Sequence, residues 1–357
     1  MDFLLNGAAH GSVAGVLMQN GFDPLSLRPY IGKDGRQYIT QNVGGVLKAV
    51  PLVGNATATL RSDEWKAIDD VVTKVAKERL KAVDDLRGAG LTYSIPNGLG
   101  KTILETETQS DINDASVSMD GMRENANDRP IYELTSLPLP IIHKDFSFSA
   151  RQIATSRNGN TPLDTTMAEL ASRKVAETAE KLVIGSYGSY AFGGGTVYGY
   201  INFPNRITAL LTAPTASGWI GNTLLTEILG MRQDSIDAYH YGPWRLYLGT
   251  SWSEYLDDDY SSSYGGKTTR QRIADVDGIS SVGTLDYLTG FQVLLVQQTT
   301  DVVRLVIGMD ITTVQWETHG GMLQHFKVMG IMVPQLRTDQ NDNTGIVHGS
   351  TSAGDLT

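Results

Sequence analysis

Ile142, Phe146 and Phe148 fall in step along the segment from Pro140 to Ser149, with polar residues between them. A period of two is that of a strand with one buried face. A short helix and a polar turn, Arg157-Asn158-Gly159-Asn160, follow, and the pattern then becomes helical. In Thr161-Pro162-Leu163-Asp164, Thr161 caps, Pro162 suits the first helical position, and Asp164 closes the box and meets the positive helix end. Met167, Leu170, Lys174, Ala179 and Leu182 carry the pattern to Val183-Ile184, and Gly185 stops it. Over residues 162–184 this predicts a solvent-exposed helix roughly 34 Å long.

A second helical stripe, Trp65, Ile68, Val72 and Val75, predicts a helix from Asp63 to about Arg87. Ser62 caps it, Asp63 and Glu64 sit in its first turn, and Gly88 and Gly90 end it. Leu224, Leu225, Ile228, Met231 and Ile236 mark another helix within 219–239, and Trp244 to Gly249 reads as a strand. Ser251 to Leu256 starts a short helix, and residues 257–283 read as loops. Phe291–Val296 and Val302–Ile307 read as a hairpin joined by Gln297 to Asp301. Val314–Glu317 and Phe326–Pro334 are further extended runs.

Two stretches lack a core of their own. Residues 1–61 show no sustained period and carry five Lys and Arg against three Asp, an extended arm of charge +2. Residues 92–134 are polar; Thr102 to Thr108 is extended, Asp111 to Asp114 is a turn, and Ala115 to Met119 is the expected return arm. A two-stranded hairpin is marginal alone in water, so this segment needs a partner. The polar tail, 338–357, is expected to be flexible.

The 357 residues suggest two domains or one with insertions, and 41% hydrophobic content supports a core. A net charge of −10 argues against a chain that binds nucleic acid over its whole surface. Without cysteine there are no disulfides or thiolate metal sites. The N-terminus is a poor signal peptide, and no apolar run is long enough for a transmembrane helix, so the expectation is an intracellular protein without a membrane partner.

Catalytic signatures do not emerge. His10, His143, His240, His319, His325 and His348 show no His-x-x-x-His spacing with an intervening Glu. His319 and His325 read as ordinary residues. Gly265-Gly266-Lys267-Thr268 resembles the end of a phosphate loop, but Ser261 stands where the first glycine belongs, and a flexible loop is the better reading. Asp257-Asp258-Asp259 and Asp275-Val276-Asp277-Gly278 lack EF-hand spacing and read as solvated acidic loops. Gly193-Gly194-Gly195 lacks the dinucleotide pattern, and no serine sits in a Gly-x-Ser-x-Gly elbow. The expectation is a non-enzyme with no catalytic residue, metal or cofactor.

In order, these parts resemble the major capsid proteins of tailed bacteriophages, which share the Hong Kong 97 fold with encapsulin shells. Glu64-Trp65-Lys66-Ala67-Ile68-Asp69 is similar to the Trp-containing first helix. Leu137-Pro138-Leu139-Pro140 through Phe148 is similar to the strand after the extended loop. Asp164 to Gly185 resembles the spine helix, and Phe291 to Ile307 with Gly308-Met309-Asp310 resembles the final hairpin and the turn after it. The resemblance covers roughly residues 62–337.

It implies an α+β fold: an N-terminal arm (1–61), a first helix (62–91), an extended loop (92–134), a peripheral domain (135–218) with a spine helix at about 162–184, an axial domain (219–320), a return strand (321–337) and the flexible tail (338–357). It implies self-assembly into an icosahedral shell of hexamers and pentamers enclosing phage DNA, without sequence specificity, on the inner face. The alternative is a nanocompartment shell around a cargo enzyme. Further implied partners are a scaffolding protein, a portal and a decoration protein, with assembly in the host cytoplasm and residence in the virion. Lys101, Glu105, Glu107, Arg123 and Arg129 are the loop side chains expected to contact a neighbouring subunit. Some relatives crosslink a loop lysine to an asparagine; Lys101 with Asn341 or Asn343 would be the pair here, though Lys101 reads first as an ordinary surface lysine.

Overall fold

The structure, a computed structural model, describes residues 29–32, 34, 36–43, 46–51, 60, 62–109, 117, 119, 129, 131–158, 165–260 and 266–356. Three antiparallel strands come first: β1 (Tyr30–Ile31), β2 (Gln37–Val43) and β3 (Val46–Pro51). Helices α1 (Ser62–Arg79) and α2 (Lys81–Gly88) lead to β4 (Thr92–Ser94) and to the paired strands β5 (Ile103–Gln109) and β6 (Tyr132–Pro138). Next come β7 (Ile142–Ser149), α3 (Ala150–Asn158), α4 (Thr166–Ile184) and a small hairpin, β8 (Tyr190–Phe192) with β9 (Gly195–Val197). The rest is β10 (Ile207–Leu210), α5 (Gly221–Asp237), β11 (Trp244–Gly249), α6 (Ser253–Asp257), α7 (Thr269–Ala274), β12 (Ile279–Leu285), β13 (Gln292–Gln297), β14 (Val303–Thr318), β15 (Leu323–Leu336) and β16 (Ile346–Ser350).

The alternation in β7 has the expected result: Ile142, Phe146 and Phe148 are buried and the residues between them face out. The strand closes a four-stranded sheet in the order β4-β14-β15-β7. Phe326 of β15 lies opposite Phe146 in the register. Its ring stacks on Phe146 at 5.1 Å and meets Phe148 and Trp65 edge-on. Trp65 comes from α1, so this aromatic cluster seals the helix layer onto the sheet.

The spine helix α4 is not the solvent-exposed rod that its polar residues predict. Ala168, Ala171, Ser172, Val175, Ala176 and Ala179 bury one face, and Leu182 to Ile184 are buried all round. These small side chains let neighbouring backbones approach closely. Gly185 ends the helix with φ +100°, its N–H donating to the Lys181 carbonyl, as expected of a left-handed cap. Residues 161–164, including the expected Thr161, Pro162 and Asp164 signature, lie outside the described residues. The first helix is two helices, not one. Leu80, buried with φ −96° and ψ +59°, interrupts it, and α2 starts afresh. Trp65, Ile68 and Val72 are buried as the stripe predicts.

A mixed five-stranded sheet, β10-β16-β13-β11-β12, forms the second layer. Leu294, Val296, Tyr247 and Ile346 project into the core shared with α4. Leu246, Leu248, Val293, Leu295 and Val347 join Leu224, Leu225, Ile228 and Met231 of α5 in a second core.

Three further expectations are corrected here. Residues 291–307 are not a hairpin: β13 is buried throughout and pairs with β11 and β16, while β14 pairs with β15 in the other sheet. The connector therefore crosses between layers, and a boundary at 320/321 would cut the β14–β15 pair. The tail is not loose. Every residue of β16 is buried, and the strand runs parallel to β10 and antiparallel to β13. The strand that pairs with β5 is β6, with Gln109 opposite Tyr132, while the return arm expected at 115–119 lies largely outside the described residues. Residues 257–283 hold α7 and β12. Thr268 caps α7 with Gln271 in a capping box, so the apparent phosphate-loop fragment is a helix start, and Lys267 pairs with Asp275.

Candidate functional site

Two places concentrate chemistry or unpartnered surface: the long hairpin and the joint between the sheets. At the hairpin, β5 and β6 pair over seven residues. Its base is fixed by the Leu139 amide donating to the Thr102 carbonyl and by burial of Leu137 and Leu139. The β8–β9 hairpin packs against it. Gly193 and Gly194, both with positive φ, make that turn, and a Cβ on Gly195 would come within 2.1 Å of the Ser136 carbonyl oxygen. The glycine run thus serves close backbone approach.

Period two gives the hairpin two faces. Thr106, Thr108 and Thr135 line a groove of about 370 Å³ whose floor includes Gln335 and Arg337. Gln335 Nε2 donates to Thr106 Oγ1 at 3.3 Å, holding the hairpin over that floor. The opposite face carries Glu105 and Glu107, which are exposed, across from Ser136 and Leu134. Tyr132 and Leu134 are 62% and 56% exposed, large side chains on a strand whose hydrogen-bonded partner among the described residues is β5 alone.

The predicted contact residues scatter along this feature. Lys101 is exposed at the hairpin base, and Arg129 is exposed just before β6. Arg123 lies outside the described residues. The asparagines proposed for a crosslink sit in a turn organised by Asp339: its carboxylate accepts from the amides of Asn341 and Asn343 and from Asn343 Nδ2. Sequence reasoning missed Tyr132 and Leu134; the alternation of Tyr132-Glu133-Leu134-Thr135 is the signal available for them.

At the joint, α2 presents Asp85 to β11. Arg245 Nη2 lies 2.7 Å from Asp85 Oδ1, and the Tyr247 hydroxyl donates to Asp85 Oδ2 at 3.0 Å. Burial pushes the Asp85 carboxyl up, against Arg245, the Tyr247 hydroxyl and Lys81. Glu180 of α4 is 2% exposed and accepts from the amides of Ala82 and Val83 at 2.6 and 3.3 Å. Burial pushes its carboxyl up to about 7, and Asp85 and Asp84 add to the rise. Burial likewise raises the hydroxyls of Tyr200 and Tyr247. Glu180 stands four residues after Ala176 and eight after Ser172, on the buried face of α4, and that helical spacing is the sequence signal for it.

Among the described residues no group of three or more His, Cys, Asp or Glu is placed to hold a metal. Thr318 Oγ1 lies 2.8 Å from His325 Nε2 and 3.0 Å from His319 Nδ1, and the His325 ring stacks on Trp316. Asp257 pairs with Arg270. His348 is buried in β16, where Arg206 Nε donates to its Nδ1 at 3.4 Å; burial pushes it down to about 4, with Arg206 adding and Asp355 opposing. Among the described residues no helix is long and apolar enough to cross a membrane.

Comparisons place this geometry. A family of unknown function, DUF6260, matches residues 55–349. The type 1 encapsulin shell protein EncA of Myxococcus xanthus is 25% identical over 201 residues, 55% of this chain, and the match spans 63% of that protein's length. The virus-like particle from Pyrococcus furiosus superposes with a TM-score of 0.57 at 16% identity, over 80% of this chain and 99% of that one. The capsid of Myoviridae phage XM1 gives 0.55 at 12% identity, over 72% and 89%. A structure from Mycobacterium phage Che8 gives 0.51 at 10% identity, over 74% and 90%. The fold is the Hong Kong 97 fold of these shells, and the chain belongs to the family of unknown function DUF6260.

Proposed function

We propose that this chain is a structural shell protein of the major-capsid type, which assembles with itself into a closed icosahedral shell of hexamers and pentamers around phage DNA. The observation that carries this reading is a fold shared with a phage capsid over 72% of this chain and 89% of that one. The long hairpin supports it. A two-stranded ribbon with large exposed apolar side chains is marginal alone and gains stability from a neighbour's surface.

In this reading the four-stranded sheet with α4 is the peripheral domain and the five-stranded sheet with α5 is the axial domain. Lys101, Glu105, Glu107, Arg123 and Arg129 meet charged groups of an adjacent subunit, while Tyr132 and Leu134 supply the apolar contact. Closed repetition of one heterologous contact gives rings, and rings of two sizes curve a shell. The chain carries no chemistry of its own; a scaffolding protein, portal and decoration protein are the further partners, and the assembled form resides in the virion.

Replacing Tyr132 with Ser and Leu134 with Asp tests the assembly surface. Both residues are exposed, so the variant keeps the native circular dichroism and loses fast-sedimenting particles. Normal particles from that variant would remove the hairpin from the assembly contact. A second reading, a compartment around a protein cargo, is favoured by the match to an encapsulin shell protein. The particle contents separate the two: nucleic acid for the first, a co-purifying enzyme for the second.

A further inference from the structure

The long hairpin changes character row by row as it leaves the body. Leu104 and Leu137 face each other at the base, Leu137 buried and Leu104 packed against the first core. On the same face Thr106 and Thr135 form the next row, and Thr108 and Glu133 the one after. Apolar packing fixes the base, and polar groups take over beyond it. These outer rows stand over the groove of about 370 Å³, and that space leaves the ribbon room to tilt. A ribbon of two strands is marginal without support from outside itself.

Gln335 crosses from the body to the Thr106 row. It lies on β15, is 5% exposed, and stands opposite Arg304 of β14 in the register. Its Oε1 accepts from Arg304 Nε, and its Nε2 donates to Thr106 Oγ1 at 3.3 Å. A guanidinium carries donors only, so it binds the amide oxygen and not the amide nitrogen. Arg304 thereby holds the Gln335 amide with Nε2 toward the hairpin. Thr106 Oγ1 accepts that hydrogen and donates its own to the Thr135 carbonyl on the partner strand, at 3.5 Å. Behind the relay, the Arg304 guanidinium lies over the Tyr93 ring of β4, 4.5 Å from its centroid. Three strands of the four-stranded sheet and both strands of the hairpin are joined by one directed chain of contacts.

We propose that Gln335 is a positioning residue for the assembly contact: it is a strut that fixes the pitch of the hairpin over the groove, and with it the angle at which Glu105, Glu107, Tyr132 and Leu134 meet a neighbouring subunit. The pitch is a property of one subunit, and only its use in assembly rests on the shell reading. A neutral hydrogen bond of this kind changes the ratio of held to released hairpin by about two- to tenfold. Gln335→Leu keeps most of the volume and loses both bonds. Thr106→Val keeps the shape and loses the link to the hairpin. Gln335→Glu keeps the strut, because a carboxylate accepts from Arg304 with one oxygen and from the Thr106 hydroxyl with the other.

The chain has no cysteine, so two introduced cysteines carry spin labels without background. Gln109→Cys, at the exposed end of β5, and Thr300→Cys, in the exposed turn before β14, place one label on the hairpin and one on the body. Double electron–electron resonance on the full chain, taken from the slowly sedimenting, unassembled fraction, reads the distribution of distances between them. One narrow distribution is expected for the doubly labelled parent and for Gln335→Glu. In Gln335→Leu and Thr106→Val a second, broad component is expected to be about two- to tenfold more populated than in the parent. An unchanged distribution in Gln335→Leu or in Thr106→Val would overturn the strut, as would a Gln335→Glu chain as broad as Gln335→Leu. If Gln335→Leu does not fold, Thr106→Val decides, because that residue lies on the hairpin, outside the core. A chain that gives the expected distances and never forms particles would count against the shell reading and leave the strut standing.

Discussion

Phe326 joins the two layers of the first core, and its removal has a cost that the geometry sets. The side chain is fully buried, stacked on Phe146 at 5.1 Å with an interplanar angle of 12°, and in edge contact with Phe148 at 5.6 Å and Trp65 at 5.9 Å. Phe326→Ala leaves a void that neither a strand paired on both sides nor a packed helix can fill by collapse. Such truncations cost about 3–5 kcal/mol. Three ring contacts, each adding about 0.5–1.5 kcal/mol beyond area burial, place this one toward the upper end. At about 1.4 kcal/mol per factor of ten, the folded-to-unfolded ratio drops by about three orders of magnitude. Trp316 provides the internal control. It lies on the partner strand β14, opposite His325, and is 38% exposed. Trp316→Ala should cost well under half as much, mostly through the lost His325 stack. Urea unfolding of dissociated subunits, followed by far-ultraviolet circular dichroism, reads both as midpoint shifts at unchanged slope. A Phe326→Ala loss below about 1 kcal/mol, or equal losses for both variants, would refute the packing argument.

Three further outcomes follow from the same geometry. Gly195→Ala places a Cβ 2.1 Å from the Ser136 carbonyl, so β8–β9 must move off β6, at a cost of about 1–3 kcal/mol in subunit unfolding. His348 has a folded-state value pushed down to about 4, below its unfolded value, so the unfolded chain binds more protons in acid. Stability through this group falls as pH drops from about 6.5 toward 4, by about 3 kcal/mol at most. Glu180 acts oppositely, its raised carboxyl adding stability as pH falls from about 7 toward 4.5; His348→Gln should therefore tilt the pH profile of the unfolding midpoint toward greater stability in acid. A double-mutant cycle of Asp85→Ala and Arg245→Met should return a coupling of about 0.5–3 kcal/mol, since the pair is only partly exposed and shares Tyr247; a coupling near zero would mean that the joint is not electrostatic.

Local period carried the sequence reading where one face of an element is buried. The β7 alternation, the Trp65 stripe, the α5 apolar set and the Gly185 stop each reflect a short-range rule, and each appears in the fold. The misses share a different origin. In β16, His348 and Ser350 are polar yet buried; Arg206, 142 residues away in sequence, donates to His348 Nδ1, and Asp355, just beyond the strand, accepts from the Ser350 hydroxyl. No window around residue 348 contains Arg206. Adjacency in sequence predicts that β13 pairs with β14, whereas the connector between them crosses from one sheet to the other. The break at Leu80 is equally non-local, since the carboxylate that receives the freed amides lies 98 residues away. The candidate surface is half legible: its charged residues Glu105 and Glu107 stand out in the sequence, and local alternation marks Tyr132 and Leu134, but that all four share one face follows from the register of β5 with β6.

The most direct test of the central claim is electron microscopy of the full chain, expressed alone and again beside its candidate scaffold, with the particle mass measured in parallel. The account predicts closed particles of uniform diameter whose subunits form rings of five and six. A chain that stays a 38.7 kDa monomer under both conditions at high concentration, with no rings and no particles, would contradict it.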